Sequence, residues 1–381
     1  MAQDLGPVPL SFEDGKLTTG DIIWREMQPW LQDCGYMLRP RFRPGWVPSW
    51  KTSGQFMVLC EDSYVPISFA LMDAVRIADN TLVMLKHIHR DLELSPDEAE
   101  IWGFLSSDQL RADPKNHCIP LLDVLEPPGG QPGDKILVMK FMHDFSEPYY
   151  DTVGEGVDFF RQMFEGLKSM HDHGVAHRDC SVANIMMDAQ QLYPDGFSPR
   201  LSRRTPDLKA DARHLTRTQA PPRYYFIDFG LSMKFDETQP RLASPIRGGD
   251  RFVPEIEDNE DETLVDPFAV DIWCVGHLIQ LVFLDGWTGG MEDVYPGMAG
   301  FEFIRPLVTD MTLTDPQKRP KIDEVVSRFE AIVSGLSSWK LRSRVRKKSD
   351  FYLDIPEIAK HWYRRIGYII RRVPPIPVQP T

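Results

Sequence analysis

The stretch GVAHRDCSVANIMMD brings His177, Arg178 and Asp179 together with Asn184, five positions after the aspartate. Further on, YYFIDFGLS sets Asp228, Phe229 and Gly230 directly after an aromatic, strand-like run. A carboxylate and a carboxamide on one loop, with a second carboxylate on a later turn, are oxygen groups suited to take up a proton and to hold a hard cation. A fixed tripeptide arises by chance in a chain of this length about once in twenty, so either motif alone is weak; two in order and in context are strong. Three more patterned groups follow: Val253-Pro254-Glu255, then Asp271, Trp273 and Gly276 in DIWCVG, then Arg319 in DPQKRP. Upstream, Lys86 closes the strand-like run TLVMLK.

These residues need two kinds of scaffold. FMVLC, FALMDAVRI and TLVMLKHI read as successive antiparallel strands, the last two joined by a tight turn at Ala78-Asp79-Asn80. Ser95 then reads as the N-cap and Pro96 as the first residue of a helix. ILVMKFM is a further strand after PPGGQPGD, and beyond Asp158 the spacing of Phe159, Phe160, Met163, Leu167 and Met170 turns helical. Strands first and helices afterwards predict a sheet-rich lobe joined to a helical one. Before them lies an aromatic-rich leader, Asp21 to Trp50, with a helical stretch interrupted at Pro29.

Composition narrows the classes. With 42% hydrophobic and 26% charged residues among 381, the chain reads as globular and large enough for a sizeable core. A formal charge of -13 argues against a general nucleic-acid binder, which must neutralise phosphates. The N-terminal residues lack the apolar core of a signal, and the most apolar stretch, Ile272 to Leu284, is short and contains His277 and Gln280, so no membrane span is expected. Cys34, Cys60, Cys118, Cys180 and Cys274 form no CxxC pair, and a reducing compartment, cytosol or nucleus, is the expectation.

Over about residues 55 to 333 these motifs resemble the protein kinase superfamily, and the leader and tail resemble the kinase-like proteins of mushroom-forming fungi. The resemblance implies an α+β, bilobal protein kinase fold. Its N-lobe, about 55–141, is an antiparallel β-sheet with one helix, and its C-lobe, about 142–333, is mainly α-helical, between a leader (1–54) and a basic tail (334–381). It also implies ATP and magnesium, with a protein hydroxyl as acceptor, of Ser/Thr type. In that scheme Asp179 accepts the hydroxyl proton, Asn184 and Asp228 hold magnesium, and Lys86 binds the α and β phosphates. Glu100 is the expected partner of Lys86, with Glu98 as fallback; the two lie about 200° apart on a helix, so only one can face the lysine. Met139, Lys140, Phe141 and Met142 match the linker that contacts adenine. His177, Phe229 and Gly230 match packing positions, Glu255 and Arg319 an ion pair, and Asp271 a backbone-capping acid. Arg178 is either a contact to the activation segment or a surface charge. Small-molecule phosphotransferases, which usually carry Gly at the Arg178 position and lack the Pro-Glu and DxWxxG elements, are the weaker reading.

Two departures open an alternative, a pseudokinase scaffold. Where a G-x-G-x-x-G turn should precede Lys86, SGQFMVLCEDSYVPISFALMDAVR lacks the glycines, and Ser181 replaces the lysine usual in Ser/Thr kinases. Between Asn184 and Asp228 an insert, about 190–223, reads as a solvated, partly disordered loop, with Arg200, Arg203, Arg204, Lys209, Arg213 and Arg217 against Asp207 and Asp211. In the tail, Ile358, Trp362, Ile366 and Ile369 line one helical face, which is expected to dock on the body; membrane association is the less favoured reading.

Overall fold

A computed structural model of the chain describes residues 15–66, 68–88, 97–131, 133–236, 238, 240–257, 259, 262–287, 295–350 and 354–379. The leader supplies helix α1 (Thr19–Asp33), opened by a reciprocal cap between Thr18 and Asp21. It runs on through Pro29 instead of breaking there, because Trp24 and Leu31, both fully buried, anchor the turns on either side. After α1 comes β1 (Tyr36–Leu38), which pairs with β2 (Leu71–Arg76). The strand expected at FMVLC is absent; Met57–Leu59 form a turn of 3-10 helix with Phe56, Val58 and Leu59 exposed, beyond the short helix α2 (Trp50–Ser53). The leader is thus part of the sheet-rich half.

The sheet continues with β3 (Thr81–Ile88), paired to β2 through the predicted turn at Asp79-Asn80, then β4 (Leu121–Leu125) and β5 (Lys135–Lys140), in the order β1-β2-β3-β5-β4, all antiparallel. Alternation sorts its faces. Met72, Ala74, Val83, Leu85, Ile136 and Val138 join Trp24 and Leu31 in one core under α1, whereas Asp73, Met84, Lys86 and Met139 share the opposite face. Helix α3 (Glu98–Leu105) lies after β3 and is followed by α4 (Asp108–Arg111). The capping pair Ser95-Pro96 lies outside the described residues.

The second half is built on α5 (Val153–Asp172), whose Phe159, Phe160, Met163, Leu167 and Met170 are all buried. Short pairs surround it: β6 (His143–Asp144), β8 (Ile185–Asp188) and β9 (Arg223–Phe226) in one sheet, and β7 (Val175–Ala176) with β10 (Met233–Lys234) in another. Helices α6 (Pro254–Glu257), α7 (Pro267–Ile279), α8 (Arg305–Met311) and α9 (Ile322–Ser334) complete it. The apolar run Pro267–Leu284 is a core helix, with 78% of it buried. Mixed α and β structure with a five-stranded antiparallel sheet followed by helices is compatible with the bilobal arrangement.

Insert and tail depart from expectation. The insert has loop-like backbone but is pinned to the body: Leu192, Tyr193, Ala212 and Ala220 are buried, and Arg217, 1% exposed, donates to the carbonyls of Phe145 (2.8 Å) and Pro148 (2.7 Å) and to the Tyr224 hydroxyl (2.7 Å). A charge count predicts solvation, but a buried arginine that satisfies loop carbonyls ties the segment to the body. In the tail, α10 (Ser338–Leu341) precedes β12 (Arg346–Lys347), which pairs with β11 (Met298–Ala299), and α11 (Ile355–Ile370) docks on the body. It docks through His361, Arg365 and Tyr368, not through the predicted apolar face, where Trp362, Ile366 and Ile369 are exposed.

Candidate functional site

The loop carrying Asp179 is held from beneath by Asp271, fully buried on α7. Its carboxylate accepts from the backbone N–H groups of His177 (2.8 Å) and Arg178 (2.7 Å) and pairs with His171 (3.0 Å), as a capping acid should. Arg178 adopts φ 68°, a strained conformation that this anchoring sustains. His177 accepts at Nδ1 from the Asp179 N–H (3.3 Å), so its Nε2 donates to the Ile227 carbonyl (3.1 Å), tying the loop to the residue before Asp228. Asn184 donates from Nδ2 to the Asp179 carbonyl (3.0 Å) and carboxylate (2.8 Å), which leaves Oδ1 as the atom that could meet a cation.

Asp228 sits at φ 64° on its turn, with Gly230 N–H 3.2 Å from Oδ1. Its side chain is 48% exposed, and the same oxygen lies 2.8 Å from the Lys86 ammonium. Lys86 bridges the two halves, because its Nζ also lies 2.6 Å from Glu98 Oε1. Burial works against the Lys86 charge, yet Asp228 and Glu98 hold its pKa above the ordinary lysine value. Partial desolvation pushes the Asp228 carboxyl up, but Lys86 and the Gly230 amide outweigh it and keep the carboxyl below its ordinary value.

Glu98, not Glu100, therefore makes the lysine pair. Glu98 is 4% exposed and opens α3, where the helix dipole favours a carboxylate; Glu100 faces solvent. Trp102, four residues after Glu98 and fully buried, packs against Phe229 (centroids 5.8 Å apart), whereas Phe104, four after Glu100, is only half-buried. Trp102, Phe229 and His177 form one buried aromatic column, with Phe229 5.3 Å from His177.

The remaining predicted positions frame this centre. Glu255 and Arg319 form a two-pronged ion pair, both contacts 2.6 Å. Arg178 donates to the Ser244 carbonyl (2.6 Å), so it touches the segment between Asp228 and Glu255 and is not a free surface charge. Of the linker residues, Met139 is buried, Lys140 is committed to Asp188, and the Phe141 ring lies 6.0 Å from Phe197 of the insert, with Met142 half-buried beside them.

Three features escaped the sequence. The Gly249 N–H lies 2.7 Å from Asp179 Oδ1, and a Cβ there would meet Ser181 Oγ at 2.5 Å, so glycine alone lets the segment approach the acid; adjacent Gly248-Gly249 was the available signal. Where a short glycine turn was expected between the first two strands, residues 39–70 intervene. From that segment Arg39 reaches Asp73 (2.9 Å), Glu61 (3.0 Å) and the Tyr64 carbonyl (3.1 Å), while Arg200 of the insert donates to the adjacent Val65 carbonyl (2.6 Å). Asp73 shares the Lys86 face of the sheet, so this ionic group and the insert close over one side of the site.

No known protein-family profile matches the chain. A stretch of 121 residues, 31% of the chain, is 29% identical to the probable serine/threonine-protein kinase KKQ8 of Candida glabrata and covers 12% of that protein. The chain thus spans a small fraction of that relative's length, and the likeness supports a kinase-like relation.

Proposed function

We propose that the chain is a protein kinase that transfers the γ-phosphoryl group of ATP to a protein hydroxyl with magnesium. The observation that carries this is the Lys86 ammonium held between Glu98 and Asp228, facing a loop on which Asp179 and Asn184 are bonded together. The donor set fits the implied groups. Asp228 and the Asn184 carbonyl oxygen are hard ligands for magnesium, and Lys86 is a fixed cation for phosphate oxygens. Bound ATP–magnesium supplies the transferable phosphoryl group. The chain's part is positioning: Lys86 orients phosphates, Asp179 accepts the hydroxyl proton at its carboxylate, and Asp271 keeps that loop in register. The likeness to a probable serine/threonine kinase favours serine or threonine as the acceptor.

Incubation with labelled ATP and magnesium tests it. Autophosphorylation is expected for the wild type, and Asp179→Asn should lower it about a hundredfold while leaving ATP affinity within a few fold. A scaffold without catalysis is the second reading, favoured by the Arg39–Asp73 pair, which puts charge on the sheet face where an apolar ceiling suits a purine. Magnesium-dependent ATP binding without any transfer, in both wild type and variant, would establish that reading instead.

A further inference from the structure

Helix α11 is attached the wrong way round for an ordinary surface helix, which turns its apolar stripe to the core. Its inward contacts are polar: His361 (3.1 Å) and Arg364 (2.9 and 3.0 Å) reach Asp151, and the Tyr368 hydroxyl meets Thr216 (2.8 Å). Outward lie Ile355 (70% exposed), Trp362 (42%), Tyr363 (83%), Ile366 (52%), Ile369 (48%) and Ile370 (75%). At 100° per residue they fill an arc of about 120° that holds no charged side chain. Trp339, 64% exposed, extends the patch from a neighbouring element, its ring 5.9 Å from Trp362, with the Arg365 guanidinium 3.7 Å and 4.9 Å from the two rings. An apolar surface this continuous on a folded body marks an interaction site.

Charge identifies the occupant. Residues 334–381 carry eleven Lys and Arg against three Asp and Glu, whereas residues 1–333 carry 32 against 53. Lys360 and Arg371 border one edge of the arc, and Arg372 follows directly. A second copy meeting the same face would place two cationic tails against each other, as two-fold pairing requires. An anionic lipid surface has the opposite properties. It takes the isoleucines into the acyl boundary, seats Trp339, Trp362 and Tyr363 at headgroup depth, and attracts the basic rim. It also repels the acidic body, which orients the molecule with α11 against the lipid. We propose that the outward face of α11 with Trp339 is a docking surface for an anionic bilayer. Because the helix is secured by its polar side, the apolar side is presented ready for lipid without unfolding of the tail.

The test uses the full chain with vesicles of phosphatidylcholine, alone or with about 30% phosphatidylserine, at low and high salt. Co-sedimentation with the anionic vesicles is expected, weakened by salt and accompanied by a blue shift of tryptophan emission. Ile366→Asp with Ile370→Asp, both at exposed positions and so compatible with an unchanged melting temperature, should lower vesicle binding at least about tenfold. Lys360→Glu with Arg371→Glu should weaken binding to anionic vesicles while leaving residual binding to neutral ones unchanged. A wild type that ignores all vesicles overturns the proposal, as does binding that survives the isoleucine variants. Self-association abolished by those variants, without vesicle binding, would reassign the face to a protein interface.

Discussion

Arg319 is the strongest test of how the segment beyond Asp228 is held. Its side chain is 1% exposed and makes five contacts: two to Glu255 at 2.6 Å, and three to the carbonyls of Leu313 (2.8 Å), Ala269 (2.9 Å) and Thr314 (3.3 Å). Arg319→Ala leaves the Glu255 carboxylate, 11% exposed, without its cation and removes the donor to the loop carbonyls of Leu313 and Thr314 and to the Ala269 carbonyl at the start of α7. Breaking such a pair from one side costs about 3 to 5 kcal/mol. Unfolding entropy of about 2.1 cal/mol/K per residue gives about 0.8 kcal/mol/K for a chain of this length, so the melting temperature should fall by about 4 to 6 °C. Arg319→Lys keeps the charge but loses the fork and should fall between. Circular dichroism melts with calorimetry measure this, and the double variant with Glu255→Ala should show a coupling energy of about 1 kcal/mol or more. A melting temperature within a degree of wild type for Arg319→Ala would refute the assignment of this pair as the clamp.

Other outcomes follow from single contacts. Glu98→Gln should lower phosphoryl transfer at least about tenfold, while solvent-facing Glu100→Gln stays near wild type; the reverse order in a radiolabel assay would return the lysine pair to Glu100. Burial raises the Asp158 pKa to about 7, against the opposing hydrogen bond from Gln162, so between its unfolded value near 3.9 and about pH 7 the folded state holds the extra proton. Its contribution to stability is then complete below about pH 4 and lost as pH rises through 7; Asp158→Asn should flatten that decline in melting temperature, and an unchanged pH profile contradicts it. A Cβ at Gly154 would sit 1.8 Å from the Pro375 carbonyl, so Gly154→Ala should cost about 1 to 3 kcal/mol and free the terminal segment to protease, seen as faster cleavage beyond residue 370.

Much of the centre was legible because it is local. Asp179 and Asn184 are five positions apart, and Asp228 follows its strand directly, so the residue types and their spacing are written in short stretches of sequence, although Asp271 is what holds the Asp179 loop in place. The existence of β2 and β3 and the turn between them followed from the two strand-like runs, and the buried face of α5 from its helical period. Where two residues competed for one partner, the local pattern was insufficient: Glu98 and Glu100 stand on the same short helix, and only the docking of Trp102 on Phe229 decides which turns to Lys86.

What the tertiary structure alone decided concerns partners distant along the chain. Tyr36–Leu38 becomes the edge strand because Ala74 and Val75 pair with it, not because three residues have strand propensity, and Arg39 meets Asp73 for the same reason. The insert is tied to the body through Arg217, whose charge on paper indicated solvent, because the carbonyls of Phe145 and Pro148 lie 72 and 69 positions upstream in sequence but adjacent in space. For α11 the sequence determined an amphipathic helix and nothing about which side turns inward. Hydrophobicity favours burying the isoleucines, but it has no direction; the Asp151 carboxylate, 11% exposed beside His361 and Arg364, does, and hydrogen-bond geometry rather than apolar area set the helix's orientation.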